Sequence, residues 1–213
     1  MQTLGFVMLT KDSATFVGRV LEQARSYADD IAVWVDVSSA DGTADVCRKW
    51  ADRVEIIDTQ GYIEPHLQMM HDSMKTDFIV RLDDDEILGA GFWRRKALLT
   101  ALPFNAIAFR RYNLVTDERH YAASLGFYPD WQVRMVRRGK ARFPTRIHAT
   151  PDVVDASLVM HPNLHVFHLK NLVRTQAELD VIAASYARRL GLEPTSYRMP
   201  DNIIIRECEE MIG

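Results

Sequence analysis

Short apolar runs alternate with segments of helical periodicity through the first half of the chain, and this alternation limits the folds that the sequence can adopt. The apolar runs have the length of buried strands and lie at residues 5–9, 31–35, 54–57 and 77–80. Between them, apolar residues recur at the spacing of one helix face. Repeated alternation of strand and helix predicts right-handed crossovers and an α/β fold with a mostly parallel central sheet flanked by helices.

The second half of the chain is less regular. Its predicted helices and strands lie at residues 92–102, 106–109, 131–137, 166–167 and 175–190. Residues 113–128 are rich in polar and turn-prone side chains and predict a long loop or hairpin, which in compact domains is often functional. The last residues, 209–213, read as part of a helix, which suggests that the chain is a piece of a longer polypeptide.

Charge and composition argue against several classes of protein. The formal net charge of −3 argues against a nucleic-acid partner, because nucleic-acid-binding domains usually carry a basic excess. No apolar run is long enough to span a bilayer, and the first residues do not resemble a secretory signal, so no transmembrane segment is expected. Cys47 and Cys208 are too few for a disulfide framework or a zinc site. We therefore expect a cytoplasmic protein.

An acidic stretch, defined here as residues 83–86 (Asp83, Asp84, Asp85 and Glu86), directly follows the fourth apolar run. Four carboxylates at the end of a buried strand need a cationic partner, because an uncompensated buried charge costs several kcal/mol. Alternation along an extended chain predicts that Asp83 and Asp85 face one side and Asp84 the other. Two carboxylates aimed at one point suit a hard cation such as Mg²⁺ or Mn²⁺. The alternative is a solvated acidic turn that precedes the next helix.

Polar residues follow three of the four predicted strands, at the sheet edge where open α/β folds bind ligands. They include Thr10 and Lys11 after the first strand, Asp36 after the second, and the acidic stretch after the fourth. Neither a dinucleotide fingerprint nor a P-loop occurs in the sequence. Asp36 could accept a hydrogen bond from a uracil ring or a ribose hydroxyl, and a metal ion at Asp83 and Asp85 could bridge a diphosphate.

Four segments resemble the family 2 glycosyltransferases, which have the GT-A fold of nucleotide-diphospho-sugar transferases. Residues 6–12 resemble the opening strand and Thr-Lys-Asn turn of that family, and residues 34–43 resemble its Val-Val-Asp-Ser-Gly-Ser-Thr-Asp-Gly-Thr segment. Residues 78–86 are similar to the segment that carries its Asp-x-Asp metal motif. Residues 128–139, followed by Ile147 and His148, resemble a pattern in the branch of small lipopolysaccharide-core-type sugar transferases.

The resemblance implies one GT-A domain over residues 1–213, with a nucleotide-binding half at 1–102 and an acceptor-side half at 103–213. It implies a hexosyl- or deoxyhexosyltransferase that uses Mn²⁺ or Mg²⁺. The donor would be a nucleotide sugar, usually UDP-linked, the acceptor a glycan or glycoconjugate, and transfer would invert the anomeric carbon. By position, the nucleoside would lie at Thr10, Lys11 and Asp36, and the ribose near Asp84. The metal ligands would be Asp83, Asp85 and His148.

This sequence departs from the family pattern at several positions. Asp12 replaces the usual Asn, Val37 and Ser38 replace a more usual Asp/Ser-Gly, and Ala149 replaces the Glu that follows the histidine. Any role that depends on that Glu is therefore not carried over.

Asp130 is the candidate catalytic base, because an inverting transfer needs a carboxylate to take the proton of the acceptor hydroxyl. Its alternative is an ordinary turn residue after Pro129, and Asp117 and Glu118 in the long loop are reserve candidates. His148 and His168 could each complete the metal's ligand set or serve as structural histidines. One of Arg134, Arg137 and Arg138 could steer the anionic donor, although a solvated strand face is expected for them.

Two other functions fit a nucleotide-binding α/β sheet. A sugar-nucleotide-forming nucleotidyltransferase usually carries a glycine-rich loop after the first strand, and residues 10–13 contain no glycine. A catalytically inactive nucleotide-binding domain is the second alternative, and the intact Asp83-x-Asp85 pair argues against it.

Overall fold

The structure is a computed structural model that describes residues 2–194 and 196–213. The first half alternates strands and helices as predicted. Its elements are β1 (Leu4–Thr10), α1 (Val17–Tyr27), β2 (Asp30–Asp36), α2 (Thr43–Cys47), β3 (Arg53–Ile57), α3 (Glu64–Asp72) and β4 (Phe78–Arg81).

The part of the chain after β4 contains more strands than the sequence predicts. Its elements are β5 (Glu86–Leu88), α4 (Ala90–Ala101), β6 (Ala106–Asn113), β7 (His120–Ala122), β8 (Asp130–Arg137), β9 (Ala141–Arg142), β10 (Asp152–Val153), a 3₁₀ turn (Val154–Ala156), β11 (Leu158–His168), α5 (Lys170–Val173), α6 (Gln176–Arg189) and β12 (Ile205–Glu207). Within the described residues, no helix combines the length and the apolar character that crossing a bilayer requires.

One eight-stranded sheet in the order β3-β2-β1-β4-β8-β6-β11-β5 combines strands from both halves. β3, β2, β1 and β4 pair in parallel, as do β6 and β11. β8 runs antiparallel to both of its neighbours, and β5 runs antiparallel to β11. The predicted α/β architecture is confirmed, and its antiparallel pairs are made by β5 and β8.

Helices cover both faces of the sheet because β1 sends alternate side chains to two cores. Phe6 and Met8 join the core that contains the apolar face of α1. Val7 points the other way and joins Leu67 and Met70 of α3. Burial on both faces explains why the parallel strands read as continuous apolar runs.

The register of three strands brings distant polar residues together at one edge of the sheet. Glu86 of β5 lies opposite His168 of β11, and His168 lies opposite Asn113 of β6. On the other side of β6, Arg111 lies opposite Asp130 of β8. Since neighbouring strands are about 4.8 Å apart, these pairs can contact directly.

The structure differs from two of the predictions for the second half. β11 extends over Leu158–His168 instead of residues 166–167, and its register with β6 shifts between Met160 and His165, on either side of Pro162. Residues 209–213 are not helical, so that prediction was wrong. They lie against the start of α4, where the Glu210 carboxylate accepts a hydrogen bond from the backbone N of Gly91 and contacts the ring of His165.

Candidate active site

The acidic stretch forms a turn at the carboxyl end of β4. The backbone N of Glu86 donates to the carbonyl of Asp83 at 3.1 Å, so the alternation expected for an extended chain does not apply. Asp84, Asp85 and Glu86 are buried, and the Asp83 side chain is 31% exposed. The cationic partners that such a stretch requires are four arginines: Arg81, Arg111, Arg134 and Arg174. His168 also contacts Asp85.

Arg134 of β8 is the most buried of these partners, with 1% of its side chain exposed. Its Nη2 donates to Asp83 Oδ2 at 2.8 Å and to Glu86 Oε1 at 2.6 Å. The expectation of a solvated face was therefore wrong for Arg134. The signal that could have identified it was the acidic stretch itself, whose burial demands cations from elsewhere in the chain.

Asp83 is held by two guanidinium groups, with Arg81 Nη1 at 2.8 Å from its other carboxylate oxygen. Burial acts to raise the pKa of Asp83, but the charges of Arg134 and Arg81 outweigh it and lower that pKa well below its usual range. Asp83 is therefore a carboxylate at neutral pH, with both oxygens already in ion pairs.

Asp84 connects the acidic stretch to the end of β1. Thr10 Oγ1 donates to Asp84 Oδ2 at 2.7 Å, and Arg174 Nη2 donates to Asp84 Oδ1 at 3.1 Å. Burial, followed by the charge of Asp85, raises the pKa of Asp84 to about 6. Two residues predicted at the nucleoside and ribose are thus in direct contact, whereas Lys11, predicted beside them, is exposed.

Asp85 faces a histidine whose ring orientation is fixed by an amide. Oδ1 of Asp85 lies 3.3 Å from Nε2 of His168, and Nδ1 of His168 lies 2.8 Å from Oδ1 of Asn113. The amide nitrogen of Asn113 donates to the carbonyl of Phe127 at 3.0 Å, which leaves its oxygen to accept from Nδ1. In the neutral ring the lone pair is therefore on Nε2, and it faces a carboxylate oxygen. Such a contact is favourable when a cation or a proton lies between the two atoms.

Asp36 is the last residue of β2, and its carboxylate is a preorganised hydrogen-bond acceptor. Its carboxylate accepts hydrogen bonds from the backbone N of Ser38 at 2.8 Å and of Thr59 at 3.2 Å, and from both hydroxyl groups. Burial acts to raise the pKa of Asp36, but the hydrogen bonds from Ser38 and Thr59 outweigh it and lower the pKa to about 2. Asp36 is thus an ionised group held rigidly at the edge of the sheet.

Asp130, the candidate base, lies at the start of β8 and pairs with Arg111 at 2.7 Å. Gln132 Nε2 donates to Asp130 Oδ1 at 2.7 Å, and Asn113 Nδ2 lies 3.4 Å from Asp130 Oδ2, the oxygen that Arg111 contacts. Burial acts to raise the pKa of Asp130, but Arg111 and these hydrogen bonds lower it overall. Asn113 therefore contacts both Asp130 and His168.

The reserve candidates do not share this network. Asp117 contacts His120 at 2.8 Å, and Glu118 forms a two-armed ion pair with Arg19, with one contact at 2.9 Å. All four side chains are at least 40% exposed.

His148 contacts Tyr186 and Glu64 and makes none of the contacts described above. Its ring centroid is 5.1 Å from that of Tyr186, and its backbone N donates to Glu64 Oε1 at 3.0 Å. No hydrogen bond or ion pair joins His148 to the acidic stretch in the described part of the chain. Its role as a metal ligand stays a prediction, and His168 is the histidine that contacts Asp85.

Known structures share this arrangement of strands and helices. A structure of residues 1–349 of S. aureus TarS is 12% identical, with a TM-score of 0.52 over 87% of this chain and 65% of that one. Another TarS structure is covered over 40% of its length, so the chain spans two thirds or less of these relatives. The P. calidifontis mannosyltransferase PcManGT in complex with GDP-Man and Mn²⁺ is 14% identical, with a TM-score of 0.54 over 93% of this chain and 66% of that one.

A third neighbour is the M. tuberculosis glucosyl-3-phosphoglycerate synthase in complex with Mg²⁺ and UDP. It is 14% identical, with a TM-score of 0.54 over 97% of this chain and 87% of that one. The chain has the GT-A fold. No family model matches the sequence, and no curated protein matches it either.

A divalent cation is the group that a GT-A fold with an Asp-x-Asp segment implies. Among residues 2–194 and 196–213, no three His, Cys, Asp or Glu side chains converge on one metal position. Two ligands can suffice, since Mg²⁺ keeps several waters and substrate oxygens, and adjacent octahedral ligands at about 2.1 Å from the ion are about 3 Å apart. The 3.3 Å between Asp85 Oδ1 and His168 Nε2 fits such a two-ligand site.

Proposed function

We propose that the chain is a glycosyltransferase that moves a sugar from a nucleoside-diphosphate donor to a hydroxyl of a glycan or glycoconjugate. The observation that carries the proposal is the pairing of Asp85 with the lone-pair nitrogen of His168 at the ligand-binding edge of a GT-A sheet. Among its fold neighbours, one is described with GDP-Man and Mn²⁺ and another with UDP and Mg²⁺. We propose a UDP-linked hexose or deoxyhexose as the donor, with Mn²⁺ or Mg²⁺.

The donor's nucleoside is proposed to lie against the ends of β1 and β2. Asp36 offers a fixed, ionised acceptor to the N–H of the base or to a ribose hydroxyl. Thr10 and Asp84 are proposed to contact the ribose, and the hydrogen bond between them supports this shared role. Lys11, exposed beside Thr10, would face the same ligand.

The departing nucleoside diphosphate gains negative charge, which the site must stabilise in the transition state. A divalent cation at Asp85 and His168 would neutralise negative charge on the departing nucleoside diphosphate. Arg174, whose Nε lies 3.6 Å from Asp85 Oδ2, adds a positive charge beside the same position. Asp83 supports the turn through its ion pairs with Arg81 and Arg134, and its negative charge would help to hold the cation.

Asp130 is proposed to take the proton of the acceptor hydroxyl as the new glycosidic bond forms, with inversion at the anomeric carbon. Its lowered pKa keeps it in the ionised form that a base requires. Asn113 contacts both Asp130 and His168, which ties the candidate base to the donor side of the site.

Titration of the full chain with UDP in the presence and absence of Mn²⁺ tests the proposal. We expect calorimetry to give Mn²⁺-dependent binding that Asp85→Asn weakens at least about tenfold, since one ligand of the ion is lost. Asp117→Asn, an exposed carboxylate in the long loop, is the matched control and should bind as the wild type does. A wild-type chain that binds no UDP with Mn²⁺ present would rule the proposal out. A panel of nucleotide sugars, assayed for Mn²⁺-dependent release of the nucleotide, would then identify the donor.

A further inference from the structure

A cavity of about 320 Å³ lies outside the contacts described so far and has no assigned role. It lies between the loop after β3, the loop between β9 and β10, and the end of α6. Its lining residues are Tyr62, Thr145, Arg146, Ile147, Arg189 and Leu190.

The charge of this cavity is positive and uncompensated. Arg146 and Arg189 line it, no lining residue is acidic, and within the described residues neither arginine is within ion-pair distance of a carboxylate. The arginines that do pair with carboxylates are Arg19, Arg25, Arg48, Arg53, Arg81, Arg111, Arg119, Arg134 and Arg174. Residues 131–151, which supply part of the wall, contain six basic residues and no acidic one, although the whole chain is acidic.

The Arg189 guanidinium is held in place before any ligand arrives. It donates to the carbonyl of Gln60 and lies 4.7 Å from the centroid of the Tyr62 ring. Gly61, between these two residues, has a φ of +84°, and a Cβ there would lie 2.3 Å from Arg189 Nη2. A glycine is therefore needed for this close approach, and a preorganised arginine loses little entropy when it binds an anion.

The segments that line the cavity also contact residues of the candidate active site. Tyr186 lies on α6 one turn before Arg189 and packs against the ring of His148. Thr59, next to Gln60 in the loop after β3, donates from its backbone N to Asp36 at 3.2 Å. The loop and the helix that line the cavity thus also contact residues of the candidate site.

We infer that this cavity binds a phosphate group of the acceptor. The inference rests on the proposed function, since it names the chemical class of the acceptor that this function requires. Two guanidinium groups can hold a phosphate monoester or diester through paired charge-assisted hydrogen bonds, and the Thr145 hydroxyl can add another. A neutral sugar acceptor would leave both charges unused.

Calorimetric titration with glycerol 1-phosphate, glycerate and glycerol tests the assignment on the full chain at constant ionic strength, with and without saturating UDP and Mn²⁺. We expect saturable binding of glycerol 1-phosphate and none of glycerol. Arg146→Gln and Arg189→Gln should each weaken that binding about tenfold or more, the scale of one lost charge-assisted contact. Arg138→Gln, an exposed arginine of the same basic segment outside the cavity, is the matched control and should change binding less than about twofold.

Three outcomes would overturn the assignment: equal binding of glycerol, tighter binding of glycerate, or unchanged affinity in both cavity variants. If Arg189→Gln disturbs the loop at Gln60, the Arg146→Gln variant decides the test. The Arg146 side chain is exposed and makes no ion pair in the described structure. A chain that binds glycerol 1-phosphate through these arginines but not UDP would refute the proposed function and leave the phosphate site standing. A chain that binds UDP but not glycerol 1-phosphate would refute the phosphate site alone.

Discussion

Nε2 of His168 lies 3.3 Å from Oδ1 of Asp85, and these atoms belong to opposite halves of the chain. They meet because β11 lies between β5 and β6 in the sheet, with His168 in register with Glu86 on one side and Asn113 on the other. The amide of Asn113 then selects the ring tautomer that leaves Nε2 free to bind a cation.

Asn113→Ala should therefore weaken metal binding without removing a metal ligand. We expect the affinity for Mn²⁺ to fall about tenfold or more, because the partner that orients His168 is lost. Electron paramagnetic resonance of free Mn²⁺ during a titration measures this affinity. Asn202→Ala, at an exposed turn, is the control, and equal affinities in both variants would contradict the orienting role of Asn113.

Asp130→Asn should abolish sugar transfer and leave UDP affinity near that of the wild type. The amide keeps the size of the carboxylate but cannot accept a proton, so only the step that needs a base is lost. Initial rates of transfer, set beside UDP titrations of the same preparation, separate the two effects. Glu118→Gln is the matched control in the long loop, and unchanged turnover in Asp130→Asn would remove Asp130 from the mechanism.

Arg134→Met should destabilise the protein by about 3–5 kcal/mol, because the buried carboxylates of Asp83 and Glu86 lose their shared cation. Urea unfolding measures the change. Arg138→Met, exposed four residues further on, should change stability by no more than about 0.5 kcal/mol. Adding Glu86→Gln should recover part of the loss, and a purely additive second loss would argue against the bridge.

Asp36 should contribute to acid sensitivity. Its pKa in the folded protein is about 2, below the usual 3.8 that applies when the chain is unfolded. The stabilisation is therefore present above about pH 4 and is lost as the pH falls towards 2. Unfolding free energies measured from pH 5 to pH 2 should fall less in Asp36→Asn than in the wild type. Asp201→Asn, at an exposed turn, should follow the wild type, and parallel curves for all three proteins would contradict the prediction.

The sequence predicts the parallel part of the fold because its strands are buried on both faces. Residues 31–35 of β2, for example, are continuous in apolar character, and all of them are buried. The sequence predicts only residues 166–167 of β11, since Leu158–Met160 are exposed and the register shifts around Pro162. A half-exposed, interrupted strand gives no periodic signal to recognise.

The candidate site was predictable where its residues are adjacent in sequence. The acidic stretch and Thr10 follow strands whose ends share one edge, and the structure brings Thr10 and Asp84 into contact. Asn113 and Arg134 were not identified as site residues, because their positions depend on pairing between strands from distant segments. Local periodicity carries no information about such pairings.

Arg174, just before α6, forms ion pairs with Asp84 and Asp85. At the other end of α6, Arg189 donates a hydrogen bond to the carbonyl of Gln60 in the loop after β3. Only Leu179 of α6 is fully buried, so these end contacts hold much of the helix in place. Loss of either arginine should therefore loosen α6, which faster hydrogen exchange of its backbone amides would report.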